Sequence, residues 1–289
     1  MGEYAEQVAR HAIAMGLMGL PDNPREVLVS LDIDGTIVTP EQQIYPKVKE
    51  YADRLRLGGV HVCITTGRSV PATLPVVEGL ELESAWIASA NGSLVGHYTR
   101  ADGYTLTNQY TFDPRSIVSR VLQILPDACI GVEDSPLGFR VSKRFPPGEL
   151  RETLEVQDLD TLLATPVSRV VIREPQLHNE EFHQTVKRID FTGVEHAIGW
   201  RSWLDINPPG TSKGRGLTAV CENLGVDLGH TIAIGDGGND IPLLQTAGYG
   251  VAMGNARSEV KAAAAATTLP DIMEGAGAVL EALAQVMGL

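Results

Sequence analysis

Five runs of apolar, mostly β-branched residues stand out towards the two ends of the chain, and the middle of the chain is patterned differently. Each run is apolar almost throughout instead of alternating with polar residues, which is typical of strands buried on both faces of a parallel sheet. We therefore expect strands at Val27–Ile33, Val60–Thr65, Trp86–Ala90, Thr231–Ile234 and Tyr249–Met253.

A loop rich in Gly, Asp or Thr follows each run, and a segment with helical periodicity comes next. This repeated order predicts a doubly wound α/β fold with a parallel, Rossmann-like sheet. In such a sheet, ligands bind beyond the carboxyl ends of the strands, so the polar residues that follow each strand are the candidate site. Helices are expected at Pro46–Leu57, Ser69–Gly79, Lys213–Leu224, Asp240–Ala247 and Ser258–Ala266.

The middle of the chain contains shorter alternating runs with helical stretches between them. This mixture predicts an α+β domain at residues 94–203, inserted into an α/β core made of residues 26–93 and 204–289. Residues 1–25 contain an apolar stretch that is too short to span a membrane. We expect these residues to form a helical N-terminal extension. The runs are Tyr104–Phe112, Phe139–Val141 and Arg169–Arg173, and the helical stretches are Pro114–Leu125 and Leu177–Ile189.

Charge and cysteine content narrow the possible partners and the compartment. The 289 residues carry a formal net charge of −13, which argues against binding to nucleic acid or to an anionic membrane. A small phosphorylated metabolite remains compatible, because a local site can carry its own cations. The three cysteines, Cys63, Cys129 and Cys221, are far apart and form no CxxC pair. We therefore expect neither a disulfide framework nor a zinc site, and a reduced, cytoplasmic setting.

Four polar motifs follow the predicted strands or begin a predicted helix. The first strand ends in LDIDGT at Leu31–Thr36, and the second ends in ITTGR at Ile64–Arg68. TSKG at Thr211–Gly214 places a lysine at a helix start, and IGDGGND at Ile234–Asp240 follows a further strand. Each motif alone also fits a polar turn or a solvated side chain. Because all four occur in order at strand ends or helix starts, we expect them to form one site.

These motifs resemble those of the haloacid dehalogenase superfamily of phosphohydrolases, and most closely the Cof-type sugar-phosphate phosphatases, which have a large cap inserted into an α/β core. The resemblance implies that Asp32 is the nucleophile and Asp34 the general acid/base. Thr66 and Lys213 are implied to hold the transferring phosphoryl group. The implied magnesium ligands are the Asp32 carboxylate, the Asp34 backbone carbonyl and Asp236, supported by Asn239 and Asp240.

The residue types also suit this chemistry directly. A carboxylate is a weak nucleophile towards an anion, so a bound Mg²⁺ and Lys213 are needed to reduce the repulsion. Magnesium prefers oxygen ligands, which the aspartates supply. The backbone at Gly35 and Gly67 can point N–H groups at phosphate oxygens, and Arg68 is a further candidate for phosphate binding.

The spacing between the four motifs predicts where the inserted domain lies in the chain. The stretch between Asp34 and Thr66 holds one helix and one strand, whereas the stretch between Thr66 and Lys213 is several times longer. Asn91, in an Asn-Gly turn, resembles the passage from core to cap in Cof-type enzymes and is a candidate for substrate contact. A structural turn is the alternative for Asn91. Five basic residues of the inserted domain are candidate anion contacts, with solvated surface charge as the alternative: Arg140, Lys143, Arg144, Arg169 and Arg173.

The leading functional hypothesis is Mg²⁺-dependent hydrolysis of a small phosphate monoester, a sugar phosphate or a related metabolite, through a phospho-aspartate. The alternative is a phosphomutase of the phosphomannomutase kind, which uses a similar Asp-x-Asp-Gly-Thr motif and passes the phosphoryl group to another hydroxyl. A binding protein on a degenerate enzyme fold would show a broken catalytic position, and every position of the four motifs is filled.

Overall fold

The computed structural model describes residues 2–135, 138–150, 154–199 and 202–289. The chain forms two compact units. The core unit comprises Met1–Gly67, Thr73–Asn108 and Ser212–Leu289, and the inserted unit comprises Arg68–Ala72 and Gln109–Thr211.

The secondary structure follows the predicted order closely. The strands are β1 (Leu28–Leu31), β2 (His61–Thr65), β3 (Ser84–Ser89), β4 (Leu94–Thr99), β5 (Gly103–Gln109), β6 (Cys129–Ser135), β7 (Gly138–Val141), β8 (Leu154–Val156), β9 (Arg169–Arg173), β10 (Glu195–Ile198), β11 (Trp203–Asn207), β12 (Thr231–Gly235), β13 (Tyr249–Ala252) and β14 (Ala266–Thr267). The α-helices are α1 (Glu3–Gly16), α2 (Pro46–Leu57), α3 (Val70–Gly79), α4 (Arg115–Ile124), α5 (Leu159–Leu162), α6 (Asn179–Val186), α7 (Lys213–Leu224), α8 (Ile241–Thr246), α9 (Ser258–Ala263) and α10 (Gly275–Val286).

The core unit is built on an 8-stranded sheet in the order β14-β13-β12-β1-β2-β3-β4-β5. Strand β1 lies at its centre and is parallel to both of its neighbours, β12 and β2. In this register Leu31 aligns with Ile234 of β12 and with Ile64 of β2. The three strands therefore end at the same level, and the loops that follow them meet at one edge of the sheet.

Both faces of this sheet are buried. Val29 and Ile64 point to the face covered by α2 and α10, and Leu28 and Cys63 point to the face covered by α7 and α8. Because successive side chains alternate between two apolar layers, the strands are apolar throughout. The prediction of a doubly wound α/β fold is confirmed.

The boundary between the two units differs from the expected one. Strand β4 pairs antiparallel with β3, and β5 lies beside β4 at the edge of the core sheet. Residues 94–108 thus belong to the core unit, and β11 belongs to the inserted unit up to Thr211. Strand β5 is an edge strand whose exposed and partly buried residues alternate, so its sequence has the pattern of a half-buried antiparallel strand.

Helix ends differ from the predictions in two places near the candidate site. The helix expected from Asp240 begins as a short 3-10 helix, Gly238–Asp240, before α8. The helix expected to end at Ala266 ends at Ala263, because Ala266 pairs with Val251 of β13.

The inserted unit is an α+β arrangement around a 6-stranded sheet in the order β10-β11-β9-β6-β7-β8. Its pairs are antiparallel except for β7 with β8. Helices α4 and α6 pack on one face through Val118, Val121 and Phe182.

The N-terminal helix α1 is part of the core unit. It packs against α10, and Val8 and Met15 are buried in the same apolar cluster as the sheet. His11 is fully buried, and its Nδ1 lies 2.9 Å from the Tyr249 hydroxyl. Within the described residues, no helix combines the length and the hydrophobicity that a membrane crossing requires.

Candidate active site

Asp32 follows β1 directly and is almost completely buried, with 4% of its surface exposed. Its backbone N–H donates to the Ile234 carbonyl at 3.0 Å, which continues the β1–β12 ladder by one residue. Its Oδ1 lies 2.6 Å from the Lys213 Nζ, and the Thr36 hydroxyl donates to its Oδ2 at 3.3 Å. Both carboxylate oxygens therefore have fixed positions at the carboxyl edge of the sheet.

Lys213 reaches this carboxylate from the first turn of α7. The Ser212 side chain caps the helix by accepting a hydrogen bond from the Arg215 N–H. Helix α7 lies close to the end of β3, and a Cβ on Gly216 would come within 2.8 Å of the Ala88 Cβ. This close approach brings Lys213, which is only 2% exposed, into the interior beside Asp32.

The ammonium group of Lys213 is shared between two carboxylates. Its Nζ lies 2.5 Å from Asp240 Oδ1 as well as 2.6 Å from Asp32 Oδ1. Burial lowers the pKa of Lys213, but the charges of Asp240 and Asp32 outweigh it and hold this pKa above its usual value. Lys213 is thus a fixed positive charge in the site.

Asp240 also organises the loop after β12. Its Oδ2 accepts hydrogen bonds from the backbone N–H groups of Asp236 at 3.0 Å and Gly237 at 2.8 Å. Gly235 leaves room for this carboxylate, because a Cβ there would come within 2.7 Å of the Asp240 Cβ. The fully buried Asp240 therefore fixes the backbone at Asp236, and with it the position from which the Asp236 side chain projects.

Asp32, Asp236 and Asp240 form a cluster in which one carboxylate oxygen of each lies within 4.8 Å of the others. Burial raises the pKa of Asp32 to about 8, and the charge of Asp240 adds to the effect while Lys213 opposes it. Burial and the charge of Asp240 raise the pKa of Asp236 to about 6. One lysine therefore does not balance the negative charge of the cluster.

Oxygen donors alone make up this cluster, and they carry excess negative charge. Hard divalent cations prefer such carboxylate oxygens, and zinc sites usually include sulfur or imidazole ligands. The donor set thus fits Mg²⁺. The side chain of Asp34 lies outside this cluster and is exposed.

The loop after β2 meets the turn after β3. The Thr66 N–H donates to the Ala88 carbonyl at 2.9 Å, and the Thr66 carbonyl accepts from the Asn91 N–H at 3.0 Å. A Cβ on Gly67 would lie 3.2 Å from Asn91 Oδ1 and 3.5 Å from Asn239 Nδ2. Thr66, Gly67, Asn91 and Asn239 are therefore neighbours on the core unit.

Several predicted residues lie elsewhere. Arg68 groups with the inserted unit and not with the other residues of its motif. Within the inserted unit, Arg169 is buried and lies 2.7 Å from Glu133, and the Arg173 Nε lies 2.7 Å from Glu149. Their charges are already paired with carboxylates, which argues against free anion binding by these two arginines.

Two further residues contribute to the geometry of the site, Thr36 and Asn255. Asn255 donates from Nδ2 to the Gly35 carbonyl at 2.9 Å and to Asp236 Oδ2 at 3.1 Å. The rule that polar residues after parallel strands line the crevice applies to Asn255 as well, since it follows β13. Thr36 belongs to the first motif but has no separate sequence signal.

A buried carboxylate beside a buried ammonium group suits the binding and transfer of a phosphoryl group, and the fold is that of α/β phosphatases. The chain belongs to the haloacid dehalogenase-like hydrolases, whose family profile it matches over residues 29–280. The Cof-type phosphatase family predicted from the four motifs is confirmed.

Named phosphatases are among the similar proteins. Pyridoxal phosphate phosphatase YbhA of Escherichia coli (strain K12) is 29% identical over 266 residues, which cover 82% of this chain and 91% of YbhA. Phosphoglycolate phosphatase of Methanopyrus kandleri is 29% identical over 234 residues, which cover 81% of this chain and 87% of that protein. In fold, a solved haloacid dehalogenase-like hydrolase from Bacteroides thetaiotaomicron has a TM-score of 0.72 at 24% identity, covering 89% of this chain and 99% of that one.

Proposed function

We propose that this phosphatase hydrolyses a small phosphate monoester, a sugar phosphate or a related phosphorylated metabolite, through an Mg²⁺-dependent phospho-aspartate at Asp32. The observation that carries the proposal is the Lys213 ammonium group 2.6 Å from Asp32 Oδ1, inside a cluster of three carboxylates. A buried ammonium group beside a carboxylate supports attack on an anionic phosphate, because it offsets charge on both reactants.

Asp32, Asp236 and the Asp34 backbone carbonyl would hold Mg²⁺. When bound, this cation neutralises charge on the phosphoryl oxygens and on the carboxylates. Burial raises the pKa of Asp32 to about 8 even though the Lys213 charge opposes this shift. A bound cation would act in the same direction as Lys213 and favour the ionised form of Asp32.

In the first step a carboxylate oxygen of Asp32 bonds to phosphorus, and the bond from phosphorus to the ester oxygen breaks. The Asp34 carboxyl group gives its proton to the leaving alkoxide. In the second step Asp34 takes a proton from water, and the hydroxide oxygen bonds to phosphorus. The acyl phosphate bond breaks, and Asp32 and inorganic phosphate are released.

The names of the similar phosphatases bear on the leaving group of the substrate. The two relatives named above act, by their names, on pyridoxal phosphate and on phosphoglycolate, whose leaving groups differ while the phosphate monoester is shared. The proposed site residues of the core unit bind only the phosphate, so they are compatible with different leaving groups. We therefore propose the monoester class, with a sugar phosphate or similar metabolite as the substrate.

Purified protein should release inorganic phosphate from p-nitrophenyl phosphate with Mg²⁺ and lose this activity in EDTA. Asp32→Asn should abolish turnover, and Asp34→Asn should reduce it by about 10²- to 10⁴-fold while Mg²⁺ binding is retained. Undiminished activity in Asp32→Asn would show that the nucleophile is a different residue. Conversion of a hexose phosphate into its isomer without release of phosphate would favour the phosphomutase instead.

A further inference from the structure

The side chain of Asn255 connects three separate loops of the core unit. It lies in the segment after β13, and its Nδ2 donates to the Gly35 carbonyl at 2.9 Å and to Asp236 Oδ2 at 3.1 Å. Its Oδ1 accepts from the Asp271 backbone N–H at 3.1 Å. Both amide N–H groups and the amide oxygen are therefore engaged.

The orientation of this amide is unambiguous. A backbone carbonyl and a carboxylate only accept hydrogen bonds, so the nitrogen must face Gly35 and Asp236. A backbone N–H only donates, so the oxygen must face Asp271. A rotated amide would lose all three hydrogen bonds and bring oxygen against oxygen.

The segment that carries Asn255 is itself held in place. The Gly254 N–H donates to the Leu269 carbonyl at 3.0 Å, and the Gly254 carbonyl accepts from Lys261 Nζ at 2.6 Å. The Ala256 N–H closes a turn onto the Met253 carbonyl at 3.1 Å. Asn255 is exposed, but its backbone is anchored on both sides.

Gly35 and Asp236 are in contact at the point that Asn255 bridges. Gly35 has a left-handed backbone with a φ of 78°, and a Cβ there would overlap the Asp236 carboxylate. The backbone of the first motif and the Asp236 side chain therefore leave no room for a side chain at residue 35. A donor that bonds to both fixes the Asp34–Gly35 backbone relative to the Asp236 carboxylate.

We propose that Asn255 is a positioning residue that sets the distance between the Gly35 backbone and the Asp236 carboxylate, and so prepares the adjoining Asp34 carbonyl and the Asp236 carboxylate for Mg²⁺. The inference rests on the proposed Mg²⁺-dependent function. Outer partners of metal ligands matter in this way because they fix the direction in which a ligand oxygen points, and their loss typically weakens metal binding by about 10- to 100-fold.

Asn255→Leu tests the proposal, because leucine has a similar size and donates no hydrogen bond. Asn223→Leu is the matched control: Asn223 Nδ2 also donates to two oxygens, Asn108 Oδ1 at 2.8 Å and the Ala219 carbonyl at 2.7 Å, but outside the site. Mg²⁺ alone is titrated into each protein by calorimetry, and kcat and KM for p-nitrophenyl phosphate are measured across Mg²⁺ concentrations.

We expect Asn255→Leu to raise the Kd for Mg²⁺ by about 10- to 100-fold, with the control within about twofold of the wild type. KM at saturating Mg²⁺ should change little. Asn255→Ala, which adds no bulk, should give the same shift if leucine impairs folding. An unchanged Mg²⁺ Kd in folded Asn255→Leu and Asn255→Ala would overturn the positioning role alone. Wild-type protein that binds no Mg²⁺ would overturn the proposed Mg²⁺ dependence and this inference together.

Discussion

The side-chain amide of Asn239 donates a hydrogen bond to Asn91 Oδ1 across 3.0 Å, which joins the loop after β12 to the turn after β3. Asn91 and the preceding Ala90 both have left-handed backbones, with φ values of 54° and 50°. Non-glycine residues adopt this conformation at a cost, so the surrounding contacts must hold the turn in place.

We expect Asn91→Ala to lower the free energy of unfolding by about 2–3 kcal/mol, from the lost hydrogen bond and the left-handed strain on alanine. Asn91→Gly should lose only about 1 kcal/mol, because glycine adopts this backbone freely. Urea denaturation measures both values. If the two variants are equally stable, the backbone strain at residue 91 is not significant.

Replacement of Lys213 by methionine leaves the Asp32 and Asp240 carboxylates buried without their shared cation. We expect Lys213→Met to lower the free energy of unfolding by about 3–5 kcal/mol in EDTA and to abolish phosphatase activity. Lys49→Met is the control, since Lys49 forms an exposed ion pair with Glu81 at 2.7 Å. It should change stability by less than about 1 kcal/mol. Equal effects of the two substitutions in urea denaturation would contradict the structural role of Lys213.

Gly92 lies where the turn after β3 touches the start of α7. A Cβ on Gly92 would overlap the Ser212 carbonyl, and its φ of 87° is left-handed. Gly92→Ala should therefore displace Lys213 and reduce both activity and the free energy of unfolding, the latter by more than about 2 kcal/mol. Gly225→Ala is a matched control, with a φ of 69° and open space around its Cα, and should lose only about 1 kcal/mol. A Gly92→Ala variant as stable and active as the control would disprove the close contact.

Burial lowers the pKa of His11 to about 4, and the charge of Arg10 adds to this effect. The unfolded chain takes up a proton near pH 6.5, whereas folded His11 stays neutral until about pH 4. Neutral His11 therefore contributes stability above pH 6.5, and this stability is lost as the pH falls towards 4, by on the order of 3 kcal/mol.

His11→Gln should remove the pH-dependent stability that neutral His11 contributes. The free energy of unfolding of the wild type minus that of the variant should therefore decrease as the pH falls from 7.5 to 4.5. Urea denaturation at several pH values measures the difference, and the site carboxylates affect both proteins alike. Replacement of the exposed His183 by glutamine serves as the control. A wild-type-minus-variant difference that is constant with pH would show that His11 does not titrate in this window.

The sequence predicts where the strands of the core sheet end better than it predicts the boundary between the two units. Asp32, Thr66 and Asp236 each follow a strand whose apolar run is long and buried, so the level at which the strands end is fixed by the parallel register. The predicted boundary at residue 94 differs from the boundary between the compact units, because an antiparallel edge strand such as β5 has the same alternating pattern as the inserted sheet. Local pattern does not show which sheet an edge strand joins.

Side-chain geometry is harder still to predict. The ion pair of Asp240 with Lys213 depends on how closely α7 approaches α8 and β3, which Gly214 and Gly216 allow. Asn255 lies far from the first motif along the chain, and its contact with Gly35 arises only because β13 and β1 both flank β12. Such contacts follow from the strand order, which the motifs alone do not determine.

The packing of α1 against α10 has a consequence for folding during synthesis. Helix α1 is synthesised well before its partner α10, and β1 must wait for β12 before it gains its second neighbour. The inserted unit lies between these segments, so its residues are complete while α1 and the central strand still lack their partners. Domains of a growing chain usually fold in order from the N-terminus, but here the core unit can complete its fold only after the inserted unit has been synthesised. Loss of α10 would therefore uncover α1 as well.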